Sequence, residues 1–155
     1  MKKLLLILMF SPLTSFCQCP KWVGSDVQTS LSLMNVVQKY LQFTMVRTGD
    51  TTRLDSYRFA DDKGFSAFTF AVDKKNNLDG TQLKTTYGSV NGIYIYGPAE
   101  RVDKLYTEYF YPLIKSCETK SSPTWIMWNG LMLVHHTEAN HLGIPMAYIE
   151  IKRGY

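Results

Sequence analysis

The sequence predicts an α+β fold, a mainly antiparallel sheet of five to seven strands with two helices, in the order α-β-β-β(β)-α-β-β(β). Three observations lead there. Two segments, residues 26–46 and 98–116, repeat apolar residues every three to four positions. The segments between and after them switch to a period of two and are rich in Val, Ile, Thr, Tyr and Phe. Short breaks of Gly, Asn and Asp separate these runs, with no internal repeat, low-complexity tract or linker.

The first helix is expected over "DVQTSLSLMNVVQKYLQFTMV". Val27, Leu31, Met34, Val37 or Gln38, Leu41 and Met45 make its apolar stripe. Ser25 is placed to cap its start, Asp26 suits the positive end of the dipole, and Gly49 and Asp50 stop it. "LDSYRFADDKGFSAFTFAVDKK" then reads as a hairpin. Tyr57 and Phe59 share one face of the first strand, and Phe68, Phe70 and Val72 share one face of the second, with "DDKG" as the turn. "KKNNLDG" is the expected next connection. "TQLKTTYGSVNGIYIYG" is strand material, either folded back at Asn91-Gly92 or run on as one long strand with a bulge.

The second helix, "PAERVDKLYTEYFYPLIKS", begins at Pro98, where a missing N–H is harmless. Val102, Leu105, Tyr106, Tyr109, Phe110 and Leu113 form its stripe, and Glu100 and Lys104 pair on its wet side. Pro112 should kink or end it near the last turn. Strands close the chain. Asn129-Gly130 signals a hairpin between "WIMW" and "LMLV", and residues 146–152 alternate Met, Tyr, Glu and Lys against Ala, Ile and Ile. A helix, three strands, helix, two strands order resembles secretion-chaperone-like folds in topology, which carries no function by itself.

The ends of the chain indicate compartment. "MKKLLLILMFSPLTSFCQ" has a basic start, an apolar run from Leu4 to Phe10, and Ser15 and Cys17 at −3 and −1 of a cleavage site. That is the layout of a secretory signal peptide, and the run is too short to span a bilayer. Residues 1–17 are expected to be cleaved in bacterial-type export, leaving residues 18–155 as one α+β domain, secreted or periplasmic, with no stable membrane insertion. Loss of Lys2 and Lys3 leaves 15 basic against 13 acidic residues, a formal +2. The basic residues are scattered, which argues against nucleic acid as a partner. Cys19 and Cys117 remain, and in an oxidising compartment they most simply make one disulfide.

Candidate chemistry is sparse. "HHTEANH" holds every histidine in the chain. On a strand, His136 and Glu138 point to one face and His135 and Thr137 to the other. His136, Glu138 and His141 could thus supply two nitrogens and one oxygen to zinc, with water in the fourth position. The ordinary alternative is a polar hairpin loop, and the spacing is not that of a helical HExxH. "DKKNNLDG" fails as a calcium loop, with Lys75 at the first ligand position and Thr86 at the twelfth. No P-loop, nucleophile elbow or placed carboxylate pair appears, so no cofactor is called for unless zinc binds.

Aromatics make up 14% of the chain. Tyr94, Tyr96, Trp125 and Trp128 are the leading candidates for a binding platform, weighed against ordinary core packing. Tyr94 and Tyr96 share one face of a strand while Ile93 and Ile95 take the other. Three readings result. The first is an exported, non-catalytic binding protein for a protein or peptide partner, of inhibitor, immunity or chaperone-like role. The second is a metal-binding protein or zinc-dependent hydrolase centred on the histidine cluster. The third is a pocket for a small apolar ligand between helices and sheet.

Overall fold

The computed structural model describes residues 19–42, 44, 46–48, 56–61, 63, 65–79, 82–139 and 143–154. The expected signal peptide and His141 lie outside the described residues.

The fold is α+β, as the periodicities predict. Helix α1 (Val27–Leu41) is followed by β1 (Val46–Thr48), β2 (Ser56–Ala60), β3 (Ala67–Asp79) and β4 (Gln82–Pro98). Helix α2 (Ala99–Leu105), a π turn (Tyr106–Phe110) and α3 (Tyr111–Lys115) then run on without a break as the second helical element. β5 (Lys120–Ser122), β6 (Trp125–Trp128), β7 (Leu131–Ala139) and β8 (Pro145–Arg153) complete the chain. The strands form one antiparallel sheet in the order β1-β2-β3-β4-β8-β7-β6-β5. Its eight strands exceed the expected range because two three-residue edge strands, β1 and β5, are too short to leave a periodic signal.

Both helical elements cover the same face. Leu33, Val37 and Leu41 of α1, and Val102, Leu105, Phe110 and Ile114 of the second element, pack in one core with Phe68, Phe70, Ile93, Ile95, Leu133, Ile149 and Ile151. Each fully buried side chain of this size is worth about 1.5–3 kcal/mol. Gly97 marks where the layers press closest. A Cβ there would lie 3.1 Å from Leu41 Cδ2 and 3.3 Å from Val102 Cγ2.

Several local expectations are corrected. α1 ends at Leu41 rather than near residue 46, because Gln42 takes φ 57° and its N–H bonds back to the Gln38 carbonyl. Arg101 Nη1 donates to the freed Leu41 carbonyl at 2.6 Å, a cap supplied from another helix. The N-cap is Asp26, which accepts from the Thr29 N–H at 2.8 Å, while Ser25 turns back to the Trp22 carbonyl. "KKNNLDG" is largely strand, since β3 and β4 pair out to Asp79↔Gln82. Asn91-Gly92 is not a turn. β4 runs through it, with register shifts against β3 at Ala71/Val72 and Val72/Lys74. Asn129-Gly130 is the β6–β7 turn, with φ 46° and 72° as a primed hairpin turn requires.

Pro112 acts one turn earlier than expected. The π turn ends with the Tyr111 N–H on the Tyr106 carbonyl, and Pro112 then falls in the first turn of α3, where no N–H is needed. The extra residue shifts the helical phase. Buried positions step from Leu105 to Phe110 to Ile114, so Ile114 takes the fully buried place expected of Leu113.

Cys19 and Cys117 form the expected disulfide, with Cα atoms 5.9 Å apart. It anchors a segment that also pairs with the sheet. The Gly24 N–H bonds the Val90 carbonyl, and the Val90 N–H bonds the Ser25 carbonyl. Trp22 from this segment packs edge-on against Phe110 and Trp128.

Candidate functional site

The second face of the sheet carries no described helix. A one-sided antiparallel sheet ordinarily turns polar residues to water. This one instead presents Tyr94 and Tyr96 from β4, Tyr148 from β8, His136, Val134 and Met132 from β7, and Trp125 and Met127 from β6. The registers align them in rows across the sheet: Tyr94–Glu150–Val134–Trp125, Tyr96–Tyr148–His136, and Lys152–Met132–Met127. Tyr94 is 38% exposed, while Ile93 and Ile95 on the reverse face are buried.

The rings touch. Tyr94 and Tyr148 lie 5.4 Å apart between centroids with planes 31° apart, and His136 lies 5.4 Å from Tyr148. Such contacts fix the side chains before a ligand arrives, which lowers the entropy cost of binding. Beside them is an open depression of about 450 Å³ lined by Arg58, Ala67, Thr69, Tyr94, Tyr96 and Glu138. A smaller hollow of about 170 Å³ continues from it past Thr69 and Tyr94 to Gly92, Glu150 and Lys152. The floor is low because Ala67, Ala71 and Gly92 carry little or no side chain, while Tyr94, Tyr96 and Arg58 form the walls. Lys152 Nζ lies 2.7 Å from Glu150 Oε2, so that charge pair is self-satisfied.

Burial, and then the Glu138 carboxylate, push the phenols of Tyr94 and Tyr96 above their usual range. A phenol is protonated and able to donate at neutral pH even at its ordinary value, and these shifts only widen that range. The depression thus sets tyrosine hydroxyl donors and the Glu138 carboxylate around an apolar floor.

Three of the four platform candidates, Tyr94, Tyr96 and Trp125, share this face. Trp128 does not. It is fully buried on the helix side, where Nε1 donates to the Pro20 carbonyl at 2.9 Å. Trp125 and Trp128 lie three positions apart on one strand, so a period of two must send them to opposite faces. The same rule, applied to "MAYIEIK", would have added Tyr148 to the face. Arg58 and Thr69 became visible only through the register of β2 and β3.

His136 and Glu138 share the open face of β7 and are exposed, as alternation predicts. His135 takes the helix side. Its Nε2 lies 2.8 Å from Asp103 Oδ1 and its ring stacks on Tyr106 at 4.4 Å. "HHTEA" is therefore strand rather than loop. Among the described residues, no three His, Cys, Asp or Glu side chains gather to hold a metal. The cleft between α1 and α2, about 200 Å³, is lined by Lys39, Tyr40, Gln42, Lys104 and Glu108, a charged rather than apolar set. No described helix is long and apolar enough to cross a membrane. The chain matches no family model, no curated protein and no solved structure.

Proposed function

We propose that the chain is an exported, non-catalytic binding protein that takes a protein or peptide partner on the helix-free face of its sheet, in an inhibitor, immunity or chaperone-like role. One observation carries this reading. The uncovered face carries Tyr94, Tyr96, Tyr148, Trp125, Met127, Met132 and Arg58 across neighbouring strands. Tyr, Trp, Met and Arg are the residue types enriched at the centres of protein interfaces, whereas the ordinary wet face of a sheet is polar.

The depression beside Tyr94 favours a peptide over a purely apolar ligand. Glu138 can meet a positive charge, and the tyrosine hydroxyls and Thr69 can bond main-chain amides. The Cys19–Cys117 disulfide supports an oxidising compartment, and with it a partner in the cell envelope or outside the cell.

The test uses matched baits, the wild type and a Tyr94→Ala/Tyr148→Ala variant of equal stability, with extracts of the cell envelope. The expected result is one protein retained by the wild type and released at least tenfold more readily by the variant. Equal retention by both baits would remove the face from the proposal, and retention by neither would remove the proposal.

A further inference from the structure

The depression beside Tyr94 has different charges at its two ends. Its lining runs from Arg58 on β2 to Glu138 on β7. Those strands are four places apart in the order β2-β3-β4-β8-β7, which sets their backbones roughly 19 Å apart at the usual strand spacing. The Glu138 end is the one walled by aromatic rings. After burial, the Glu138 carboxylate is what raises the phenols of both Tyr94 and Tyr96, so it lies within electrostatic reach of both. Tyr94 is held in turn against Tyr148, with ring centroids 5.4 Å apart. The two carboxylates of this face differ. Glu150 is paired with Lys152, whereas Glu138 is exposed and, among the described residues, has neither a hydrogen bond nor an ion pair.

Resting on the reading of the open face as a binding surface, we propose that the Glu138 end of this depression takes a cationic side chain, lysine or arginine, of the partner peptide. The cation sits between the Glu138 carboxylate and the rings of Tyr94 and Tyr96. Charge selects this occupant. A carboxylate attracts a cation, and so does the electron-rich face of a tyrosine ring. Both repel an anion. A neutral apolar side chain would crowd water from the carboxylate and return no counter-charge. The shape of the site agrees with the choice. Lysine and arginine lay their methylene stems along apolar surface and keep the charged head near water. Ala67 gives the stem a low floor, and the exposed Glu138 gives the head a wet end. The contact of Tyr94 with Tyr148 fixes one wall in advance, which lowers the ordering cost of binding.

The test titrates the oxidised protein with capped tripeptides that differ only in the central residue between two glycines. The central residues are arginine, lysine, glutamate and citrulline, which keeps the shape of arginine without its charge. Ring-proton resonances of Tyr94 and Tyr96 report binding. Both basic peptides should bind at least tenfold more tightly than the citrulline and glutamate peptides. Glu138→Gln should remove most of that preference, and Tyr96→Leu should weaken the basic peptides severalfold. Unchanged thermal melting of each variant shows that it folds. Equal binding of the arginine and citrulline peptides, a preference for glutamate, or no binding of any peptide at millimolar concentration would overturn the proposal. So would a Glu138→Gln protein that keeps the full preference. A Glu138→Gln bait in the envelope capture separates this failure from that of the binding face. Loss of the partner from this bait supports the cation site. A partner still held by Glu138→Gln but lost by Tyr94→Ala/Tyr148→Ala would leave the face standing and remove the cation alone.

Discussion

His135 stacks on Tyr106 with ring centroids 4.4 Å apart and planes 14° from parallel, and it holds Asp103 through Nε2 at 2.8 Å. Tyr106 is the first residue of the π turn. A single strand side chain thus ties β7 to the point where the second helix changes its winding. His135→Ala removes the stack and the bond together. It should lower stability by about 1–2 kcal/mol, on the scale of one aromatic contact plus one hydrogen bond. His135→Phe should recover part of that loss, because it restores the stack alone. Urea unfolding of the three proteins measures this. Equal stability of all three would show that the contact contributes nothing.

Trp128 and the disulfide hold the same segment from two sides. Trp128 donates to the Pro20 carbonyl, and Cys19 next to it is bonded to Cys117. A closed loop of roughly 100 residues is worth up to about 4–5 kcal/mol in the chain-entropy model. Reduction, or Cys19→Ser/Cys117→Ser, should therefore lower the unfolding midpoint sharply. Trp128→Ala should cost about 3–5 kcal/mol as a large core truncation. If Trp128→Phe, which keeps much of the aromatic bulk but loses the donor, is as damaging as Trp128→Ala, the cavity argument fails.

Asp26 gives a pH signature. Hydrogen bonds from the Thr29 backbone N–H and hydroxyl hold its carboxyl below the ordinary value of 3.8. A carboxyl whose folded pKa is depressed binds its proton more readily when unfolded, so its stabilisation is present above the ordinary value. That stabilisation is lost as the pH falls through the lowered value. Asp26→Asn keeps a capping oxygen and drops the charge. The stability advantage of the wild type over Asp26→Asn should be steady near neutrality and shrink below about pH 4, the unfolded carboxylate range. An advantage that grows on acidification would contradict the cap.

Asp61 is 5% exposed, and neither carboxylate oxygen has a partner among the described residues. Its N–H bonds the Ser66 carbonyl, and Ser66 Oγ is likewise buried and unpartnered. A buried carboxylate left unbonded costs more than the neutral amide of the same shape. Asp61→Asn should accordingly raise stability at neutral pH, by about 1–3 kcal/mol. Thermal melting at pH 7 decides it, and a lowered melting temperature would show that the carboxylate has a partner after all.

Much of this molecule was decided locally. Periods of 3.6 and 2 set the two helical elements and the strands, because each element must bury one side. Alternation alone put Tyr94 and Tyr96 opposite Ile93 and Ile95, and His136 and Glu138 opposite His135. It would also have separated Trp125 from Trp128. Cys19 and Cys117, the two cysteines beyond the expected leader, are the pair that the sequence predicts and the fold joins. Other features depended on partners distant in sequence. Where α1 stops, at the left-handed Gln42, the freed Leu41 carbonyl is satisfied by Arg101, sixty residues on. Asn91-Gly92 stays extended because β4 is flanked by β3 and β8, and paired neighbours outweigh a local turn preference. The candidate site is of this second kind. Tyr94, Tyr148, Arg58 and Glu138 come from four strands, and only the order β2-β3-β4-β8-β7 lays them side by side. Spacing along the chain assigns each residue a face; which strands neighbour one another, and hence which faces join, is settled by long-range pairing that local periodicity does not encode.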